Sequence, residues 1–551
     1  MSDELAAEGQ TSAAPRAPRA NREELTPLSF LTRAAAAFGD RTALMHGARR
    51  MTYFELYGRV RRLAVALRAA GLGHGDRVAV LAPNSPVLLE SHFGVPLAGG
   101  VLVALNTRLV SDEIGYILEH AGARFLLVDT ALSPLVAPIL ARCPAVEQVV
   151  YVADTPAESA VPGTEYELFL AAADPDAALP PLASEDEPIT INYTSGTTGR
   201  PKGAVYTHRG AYLNALSAAF ELRMGPDSVY LWTLPMFHCN GWCFPWGATA
   251  AGATHVTIRQ VDPPVVWELI AREGVTHLCA APTVLIALAN HPSAVRQERA
   301  QPVRVATGGA PPSPTTIAQM AALGVEVVHL YGLTETYGPS LACTWWPEWD
   351  ALTPDERARQ KARQGVRHVG VADVRMVDAA GRDVPADGQT MGEVIIRSNT
   401  VMTGYYRDEA GTAQAFRGGW FHSGDLGVLH PDGYVELRDR AKDVIITGGE
   451  NVSTIEVEQA IIRHPAVLEA AVIGVPDPHW GEVPKAFVAL KPGAAATAEE
   501  IVALCHQQLA RFKAPKTVEF GELPKTSTGK IQKYLLRERE WAGRDRRIGG
   551  G

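Results

Sequence analysis

Cysteine is scarce in this sequence, and the few cysteines present are not closely paired. Six occur in 551 residues, at positions 143, 239, 243, 279, 343 and 505, and none forms a Cys-x-x-Cys spacing. Disulfide-dense scaffolds and ribbon-type zinc sites depend on closely spaced cysteines. The sequence therefore argues against both classes and predicts reduced thiols inside a cell.

Long apolar runs are also missing. No stretch of about 18 apolar residues occurs, so a membrane-spanning helix is not predicted. The N-terminus carries Asp3, Glu4 and Glu8 and has no apolar core segment, which argues against a secretory signal. Residues 1–25 are rich in Ala, Pro and Arg, a composition typical of a disordered leader. These features together predict a cytoplasmic protein.

Positive charge is not in excess. Lys and Arg total 51 and Asp and Glu total 60, giving a formal net charge of −9. Nucleic-acid binders are usually basic, so we expect no nucleic acid as a partner. The hydrophobic fraction of 46% is enough for a sizeable core, and the length suggests two to four structural units.

Helix and strand patterns alternate along much of the chain. The alternation runs over residues 51–129 and again over 261–330, which predicts a mostly parallel sheet covered by helices on both faces. Residues 366–437 contain short strands separated by Gly and Asp, including a hairpin whose turn is 431–433. A new, small α/β pattern begins after Arg440, and we place a domain boundary there.

The strongest motif is the segment from Thr194 to Gly203, which reads Thr-Ser-Gly-Thr-Thr-Gly-Arg-Pro-Lys-Gly. It follows a β-type stretch and combines hydroxyls, exposed backbone N–H groups, glycines and Lys202, the groups that bind a polyphosphate. It is not the Walker pattern, because neither Ser nor Thr follows Lys202. We expect a polyphosphate to bind at the loop residues Thr194, Ser195, Gly196, Thr197, Thr198 and Gly199.

Further motifs follow in a fixed order. They are Thr307-Gly-Gly-Ala-Pro, Tyr331-Gly-Leu-Thr-Glu-Thr-Tyr-Gly, Trp420-Phe-His-Ser-Gly-Asp-Leu-Gly, Asp439-Arg-Ala-Lys-Asp and Leu523-Pro-Lys-Thr-Ser-Thr-Gly-Lys-Ile-Gln-Lys. This set resembles the acyl-adenylate-forming superfamily, which includes acyl-CoA synthetases, peptide-synthetase adenylation domains and luciferases. The resemblance covers residues 27–537.

The resemblance implies a multi-domain α/β fold. We expect a large N-terminal body of α/β subdomains with a small β-barrel-like part, and a smaller, mobile α+β C-terminal domain. The expected division is a leader over 1–25, an AMP- and acyl-binding domain over 26–439, a lid domain over 440–541 and a flexible tail over 542–551. Lys442 falls at the position of the hinge.

The resemblance also assigns catalytic roles. Lys530 matches the catalytic lysine, Lys202 belongs to the phosphate loop, Thr334 matches a contact to the α-phosphate, and Glu335 matches the metal ligand that holds Mg²⁺. A carboxylate beside a polyphosphate requires an intervening cation, because two anions repel each other. Since residue 530 belongs to the lid, Lys530 and Lys202 reach one phosphate chain only if the two domains close.

Adenine and ribose contacts follow from the same resemblance. Tyr331 matches the residue that stacks on adenine, and Asp425 and Arg440 match the ribose contacts. The other residues that we expect at the nucleotide are Gly309, Ala310, Pro311, Gly332 and Thr336.

The acyl pocket is predicted from the segment around His238, which matches a gating aromatic residue. The predicted pocket residues are His238, Trp242, Gly308, Leu333 and Tyr337. Crowding by tryptophan favours a small aryl, branched or short-to-medium-chain acid. Phe244 and Trp246 fit either the pocket or the core, and Cys239 is interpreted as a packing residue because no Asn or Asp partner is evident.

The predicted activity is that of an AMP-forming carboxylic acid–CoA ligase with ATP, Mg²⁺ and CoA. Adenylation is needed because hydroxide is a poor leaving group, and CoA would meet Gly448, Gly449, Glu450 and Trp480. An alternative is transfer of the activated acid to an amine, a carrier-protein thiol or an inorganic nucleophile. A non-catalytic nucleotide-binding scaffold is the third hypothesis. The sequence does not determine the oligomeric state, although a homodimer fits the resemblance.

Overall fold

The structure is a computed structural model, and it describes residues 20–194, 201–296, 301–440, 443–448, 450–526 and 530–542. In chain order the helices are α1 Leu28–Phe38, α2 Tyr53–Ala69, α3 Pro86–Leu97, α4 Ser111–Ala121, α5 Ser133–Val136, α6 Tyr166–Ala171, α7 His208–Glu221, α8 Cys239–Trp242, α9 Phe244–Ala251, α10 Pro263–Arg272, α11 Pro282–Asn290, α12 Pro314–Ala322, α13 Pro354–Ala362, α14 Glu409–Ala415, α15 Thr454–Ile462, α16 Ala498–Gln508 and α17 Lys533–Trp541.

The strands follow the same numbering. They are β1 Thr42–His46, β2 Arg49–Thr52, β3 Arg77–Leu81, β4 Val101–Ala104, β5 Ala123–Asp129, β6 Gln148–Val152, β7 Thr164–Glu165, β8 Pro188–Tyr193, β9 Gly203–Thr207, β10 Val229–Trp232, β11 Thr254–Thr257, β12 His277–Ala280, β13 Val303–Thr307, β14 Val325–Leu333, β15 Gly338–Ala342, β16 Val366–Arg367, β17 Asp373–Val377, β18 Met391–Arg397, β19 Gly404–Tyr405, β20 Phe421–Leu429, β21 Val435–Arg440, β22 Ile445–Thr447, β23 Glu450–Val452, β24 Val467–Asp477, β25 Gly481–Leu490 and β26 Thr517–Phe520.

Two large sheets form the main body. One has the order β7-β6-β5-β3-β4-β8-β9-β19, and the other has the order β16-β15-β14-β13-β12-β10-β11-β1-β2. Their central pairs, such as β3 with β4 and β12 with β13, are parallel. Parallel neighbours need crossover helices, so this arrangement confirms the α/β fold predicted from the alternating sequence pattern.

The two sheets are packed on a shared layer of helices. Val78 and Val80 of β3 belong to one hydrophobic cluster with Trp232 of β10, whereas Ala79 and Leu81 belong to a second cluster on the opposite face. This division follows from the two-residue period of a strand. Because both faces of the sheet are covered at its centre, strands such as β3 and β4 are nearly continuous apolar runs rather than alternating ones.

Helix α3 lies in the middle of this shared layer and is buried on every side. Its buried polar residues all have partners: Glu90 pairs with Arg59 at 2.6 Å and accepts from Tyr166 Oη at 2.6 Å, and His92 Nδ1 lies 2.6 Å from the carbonyl oxygen of Leu88. Buried polar groups require such partners to offset lost hydration. The helix is therefore a fixed internal support rather than an amphipathic surface helix.

The small β part and the C-terminal part each have their own sheet. Strands β17-β18-β20-β21 form an antiparallel sheet whose predicted hairpin turn, 431–433, lies between β20 and β21. Strands β23-β22-β25-β24, with β26 added beside β25, form the sheet of the C-terminal part. Two hydrophobic clusters there are made only of residues from 445 onward. Among the described residues, no helix has the length and apolar character needed to cross a membrane.

Histidine burial gives the fold a pH dependence. Burial lowers the pKa of His208 and His255 to about 3 and that of His92, His238, His329 and His368 to about 4. In the unfolded chain these groups titrate near their ordinary value of about 6.5. The unfolded state therefore binds more protons below pH 6.5, and stability falls as the pH drops from there toward 4.

We expect the free energy of unfolding, and with it the urea midpoint, to fall between pH 6.5 and 4.5, the free energy by up to ~1.4 kcal/mol per pH unit for each buried histidine. A His208→Gln variant removes one of these titrating groups and should give a shallower slope. Urea titrations followed by tryptophan fluorescence at several pH values measure both quantities. An unchanged midpoint over this interval would contradict the burial of neutral histidines.

Candidate active site

The nucleotide side of the site begins where β14 and the β20–β21 pair meet. Tyr331 Oη donates to Asp425 Oδ2 at 2.7 Å, and Arg440 Nε lies 3.3 Å from Asp425 Oδ1. Asp425 and Arg440 are paired across the antiparallel ladder, which fixes their spacing. Burial and the neighbouring carboxylate raise the pKa of Tyr331, so its phenol stays protonated as a donor. The three residues predicted at adenine and ribose therefore form one buried cluster.

Glycines keep the adjoining space open. A Cβ on Gly308, just after β13, would lie 2.6 Å from the Leu330 carbonyl oxygen, and one on Gly332 would lie 1.8 Å from the Gly338 carbonyl oxygen. Gly309 has a φ of +83°, a conformation that favours glycine. Any other residue at 308 or 332 would force the backbone apart. The turn that continues through Ala310 and Pro311 leads into α12, so these residues line the carboxyl edge of the sheet.

The phosphate side is organised around Thr334 and Glu335 in a short 3₁₀ turn after β14. Tyr405 Oη donates to Glu335 Oε1 at 2.8 Å, and Tyr206 Oη donates to the carbonyl oxygen of Thr334. Burial and the Glu335 carboxylate raise the pKa of Tyr405, which keeps it a donor. Thr336 is fully buried, and its hydroxyl donates to the Gly338 carbonyl oxygen at 2.7 Å. Its hydroxyl is thus engaged in shaping the turn.

Lys202 lies next to this turn. Its Nζ is 2.8 Å from Asp408 Oδ2 and 4.7 Å from the centre of the Tyr405 ring. Thr194 closes the base of the phosphate loop, since its backbone N–H donates to the Lys202 carbonyl oxygen at 2.8 Å. The other predicted loop residues, Ser195, Gly196, Thr197, Thr198 and Gly199, lie outside the described residues, as do Lys442 and Gly449.

The residues present suit Mg²⁺ bound together with a polyphosphate. Within the described parts of the chain, no group of three or more His, Cys, Asp or Glu side chains could hold a metal ion. Mg²⁺ commonly takes one or two carboxylates and fills its other positions with phosphate oxygens and water. Glu335, oriented by Tyr405, supplies such a carboxylate beside Lys202.

The acyl side is built by α8, which is a left-handed turn rather than an ordinary helix. The φ angles of residues 239–243 are all positive, between 41° and 63°. The turn brings the ring of Trp242 against Gly308 and Gly338: a Cβ on Gly308 would lie 3.1 Å from that ring, and one on Gly338 would lie 3.4 Å from it. Trp242 therefore occupies the space that these two glycines leave open.

Several aromatic residues near this turn are core residues. Tyr337 is fully buried and stacks on Tyr206 with ring centres 3.8 Å apart. Phe244 and Trp246 are also fully buried, which answers the question that the sequence left open. Burial raises the pKa of Cys239 to about 12, so its thiol stays protonated, in keeping with the interpretation as a packing residue. Leu333 is only partly buried, on the strand end that precedes Thr334.

Lys530 of the C-terminal part approaches the acyl side. Burial, and to a smaller extent the positive charge of Lys530, lower the pKa of His238 to about 4. The backbone N–H of Lys530 donates to Thr526 Oγ1 at 3.1 Å, and Lys525 pairs with Ile531. The charge of Lys530, which lies 328 positions beyond Lys202, thus reaches a residue of the N-terminal body.

Buried ion pairs connect the Lys530 loop to the chain crossing near 440. Lys533 Nζ lies 2.7 Å from Glu458 Oε1 and donates to Thr454 Oγ1 at 2.6 Å. The Thr454 backbone N–H donates to Asp439 Oδ2 at 2.6 Å, directly beside Arg440. Removal of either partner would leave an uncompensated buried charge, so this network is a strong constraint on the position of the loop.

A second surface of the C-terminal part carries the residues predicted to meet CoA. Gly448 has a φ of +57°, and a Cβ there would lie 2.6 Å from the Trp480 ring. Its backbone N–H donates to the Trp480 carbonyl oxygen at 2.9 Å. Glu450 begins the strand that pairs with β22, and Trp480 is 47% exposed. These three residues lie together at one hairpin end.

Some residues of the site were not found from the sequence. Tyr405 donates to Glu335, and Asp408 forms an ion pair with Lys202. Tyr206 donates to the backbone carbonyl of Thr334. None of the three contacting residues belongs to a recognised motif. Tyr405 and Tyr206 lie on β19 and β9, which pair with each other only in the tertiary structure. No spacing in the sequence indicates that pairing.

Comparison with known proteins agrees with this geometry. A family model described as AMP-binding enzyme matches residues 31–406, and one described as AMP-binding enzyme C-terminal domain matches residues 456–530. The chain is 46% identical over 546 residues to an acetate–CoA ligase of Humulus lupulus, which covers 94% of this chain and 95% of that protein.

Two further similarities extend over nearly the full length. A peroxisomal acetate/butyrate–CoA ligase of Arabidopsis thaliana is 45% identical, over 95% of each chain. The crystal structure of an anthranilate–CoA ligase in complex with anthranoyl-AMP aligns with a TM-score of 0.82 at 26% identity, over 94% of this chain and 97% of that one. The chain therefore belongs to the AMP-binding enzyme family, which confirms the acyl-adenylate-forming superfamily and the class of AMP-forming acid–CoA ligase predicted from its motifs.

Proposed function

We propose that this protein activates a small aryl or short-to-medium-chain carboxylic acid with ATP and transfers the acyl group to CoA, through the residues assigned above. The proposal is carried by the proximity of the acyl side to the phosphate side. Thr334 Oγ1 on the phosphate side lies 3.6 Å from Sγ of Cys239, the neighbour of His238. The charge of Lys530 also contributes to the lowered pKa of His238 on the acyl side. The acid carboxylate and the α-phosphate would thus meet between these two sides.

In the first half-reaction, a carboxylate oxygen of the acid attacks the α-phosphorus of ATP. An acyl C–O–P linkage forms, the bond to the β-phosphate breaks, and pyrophosphate leaves. The chain contributes Lys202 and Lys530 as cations against the charge that develops, each worth about 4 kcal/mol at 4 Å and an effective dielectric of 20. Bound Mg²⁺ on Glu335 would supply further charge neutralisation.

In the second half-reaction, the CoA thiolate attacks the acyl carbon, and the bond from that carbon to the AMP oxygen breaks. We assign this step to the surface of Gly448, Gly449, Glu450 and Trp480. For that surface to reach the acyl-adenylate, the lid over 440–541 would rotate about Lys442 relative to the domain over 26–439. The small residues at 448 and 449 would leave room for the pantetheine arm.

The acid is proposed to be small because Trp242 fills the space beside Gly308 and Gly338. Acids of two and four carbons appear in the names of two relatives, which favours the short end of the range. A panel of acids from acetate to octanoate, with benzoate and cinnamate, tested by exchange of pyrophosphate into ATP would identify the preferred substrate.

A different acceptor is the competing hypothesis. Adenylation followed by transfer to an amine, a carrier-protein thiol or an inorganic nucleophile would use the same first half-reaction. Product mass with and without CoA separates the two: acyl-CoA supports the proposal, and acyl-AMP that CoA does not consume supports the alternative. Absence of acid-dependent exchange would instead favour the scaffold hypothesis.

The cellular compartment and the oligomeric state are also part of the proposal. All six cysteines lie buried as free thiols, which supports a reducing compartment, and we propose the cytoplasm. Several relatives are named peroxisomal, so imaging of a tagged chain in its own cell is the direct measurement. A homodimer also stays a prediction, which light scattering would test.

Loss of the Lys530 charge should separate the two half-reactions. Lys530→Ala should slow acid-dependent pyrophosphate exchange by about 100-fold or more, since removal of one transition-state charge partner typically has this effect. Thioester formation from supplied acyl-adenylate should stay within about 3-fold of the parent rate. Lys525→Ala, in the same loop but paired with Glu469, is the matched control and should leave exchange nearly unchanged.

Equal loss of both half-reactions in Lys530→Ala would contradict the assignment of separate surfaces. A loss in Lys525→Ala that matches the loss in Lys530→Ala would instead indicate general damage to the loop.

Truncation of Trp480 should affect CoA alone. Because its side chain is about half exposed, Trp480→Ala removes little core packing. We expect the KM for CoA to rise about 10-fold, with pyrophosphate exchange unchanged. Steady-state kinetics with varied CoA measures the first quantity, and a change in exchange without a change in KM for CoA would refute the role.

Removal of the Trp242 ring should enlarge the acyl pocket. Trp242→Gly also suits the positive φ of 52° at this position. We expect kcat/KM for hexanoate relative to acetate to rise by at least about 10-fold, since each methylene in an apolar pocket is worth roughly that factor. Trp267→Phe, a buried tryptophan whose Nε1 donates to the Leu288 carbonyl oxygen, is the control and should leave the ratio unchanged. An unchanged ratio in Trp242→Gly would exclude Trp242 as the size determinant.

A further inference from the structure

The left-handed turn at residues 239–243 needs external support. Four of its five residues carry a Cβ, and L-residues with a Cβ are unfavourable in the left-handed region, particularly in succession. Such a conformation persists only when the surroundings fix it. The structure must therefore contain contacts that hold this turn, which carries Cys239 and Trp242 and directly follows His238.

Asn192 of β8 holds the backbone of the turn. In the amide orientation that satisfies its neighbours, the Asn192 side-chain oxygen accepts from the backbone N–H of Asn240 at 2.7 Å and from that of Cys239 at 3.3 Å. Its nitrogen donates to Asn240 Oδ1 at 3.1 Å. One side chain thus satisfies two backbone donors of the turn and orients the Asn240 amide.

His92 of α3 holds the other end of that amide. The Leu88 carbonyl oxygen, 2.6 Å from His92 Nδ1, can only accept, so Nδ1 carries the proton. His92 Nε2 is then an acceptor, and it receives Asn240 Nδ2 at 3.0 Å. Burial lowers the pKa of His92 to about 4, which keeps this neutral tautomer at physiological pH.

Each hydrogen bond in this chain has a fixed donor and acceptor, and the residues that form it are shielded from solvent. His92 and Asn240 are fully buried, and Asn192 is 2% exposed. Water therefore cannot replace a lost partner without a cavity, and loss of one member leaves a buried donor or acceptor unpaired. The Trp246 indole adds a donor to the His92 carbonyl oxygen at 3.1 Å, which fixes α3 against the same region.

The relay connects the two sides of the candidate site. Asn192 lies two residues before Thr194, at the base of the phosphate loop, and Asn240 lies between Cys239 and Trp242 on the acyl side. Resting on the proposed function, we propose that His92, Asn192 and Asn240 form a buried positioning relay that fixes the acid-binding turn, and so sets the affinity and size selectivity for the acid. None of the three residues touches the substrate; each acts by positioning the turn.

The test compares relay variants with a matched buried histidine. Asn240→Gly removes the amide but suits the φ of 41°, so its effect reports the lost hydrogen bonds rather than backbone strain. His92→Phe removes the acceptor, and His92→Gln restores an amide oxygen in its place. His277→Phe is the control. His277 is also a buried histidine with two hydrogen-bond partners, Leu222 and Thr276, but it lies on β12, away from the relay.

We expect Asn240→Gly and His92→Phe to raise the KM for the preferred acid about 10-fold and to leave the KM for ATP within about 2-fold. The preference between short and longer acids should also weaken. His92→Gln should recover the KM for the acid to within about 3-fold of the parent. His277→Phe should lower the melting temperature without changing either KM.

An unchanged KM for the acid in folded Asn240→Gly would overturn the relay, as would parallel increases in both KM values in the relay variants and the control. If His92→Phe does not fold, Asn240→Gly and His92→Gln carry the same comparison. Failure of the proposed function is distinguishable, because the parent protein would then show no acid-dependent pyrophosphate exchange.

Discussion

The charge of the reactants is the constraint on which the rest of this structure depends. A carboxylate must approach the α-phosphate of a polyanion, and a chain with a net charge of −9 must make that approach favourable. The chain concentrates cations locally: Arg440 beside Asp425, Lys202 beside Asp408, and Lys530 near His238. Each belongs to a different segment, so the site exists only when three parts of the chain meet. The surplus acidic charge elsewhere has little effect because it is screened over about 10 Å.

The two large sheets make that meeting possible. Their shared helical layer fixes the carboxyl edge of β13 and β14 against the strands that flank the phosphate loop. Helix α3 is central to this arrangement, because its buried polar groups are all satisfied internally and it cannot shift without breaking those bonds. The candidate site residues lie at the carboxyl edge of the sheet, and the buried packing around α3 keeps that edge in position.

Buried polar contacts bridge the connection between the main body and the C-terminal part. The buried pairs of Lys533 with Glu458, and of Thr454 with Asp439, attach the Lys530 loop to the chain beside Arg440. The surface of Gly448 and Trp480 belongs to the same rigid sheet. The Thr454–Asp439 contact crosses the proposed boundary at 439/440, so the rotation proposed for the second half-reaction would have to break it.

The sequence by itself determined the α/β class and the order of the motifs, and it predicted the site roles of Thr194, Glu335, Asp425 and Lys530. Those features depend on local pattern, on residue type and on spacing, all of which are properties of the sequence itself. Only the tertiary structure revealed the contacts of Tyr405, Asp408, Asn192, Asn240 and His92, because each contacts a group that is distant in sequence. It also showed that Trp246 is fully buried whereas the Trp242 ring lies against Gly308 and Gly338, although both tryptophans lie in one apolar segment. The physical reason is that periodicity reports which residues are buried, and only long-range packing determines what each buried group touches.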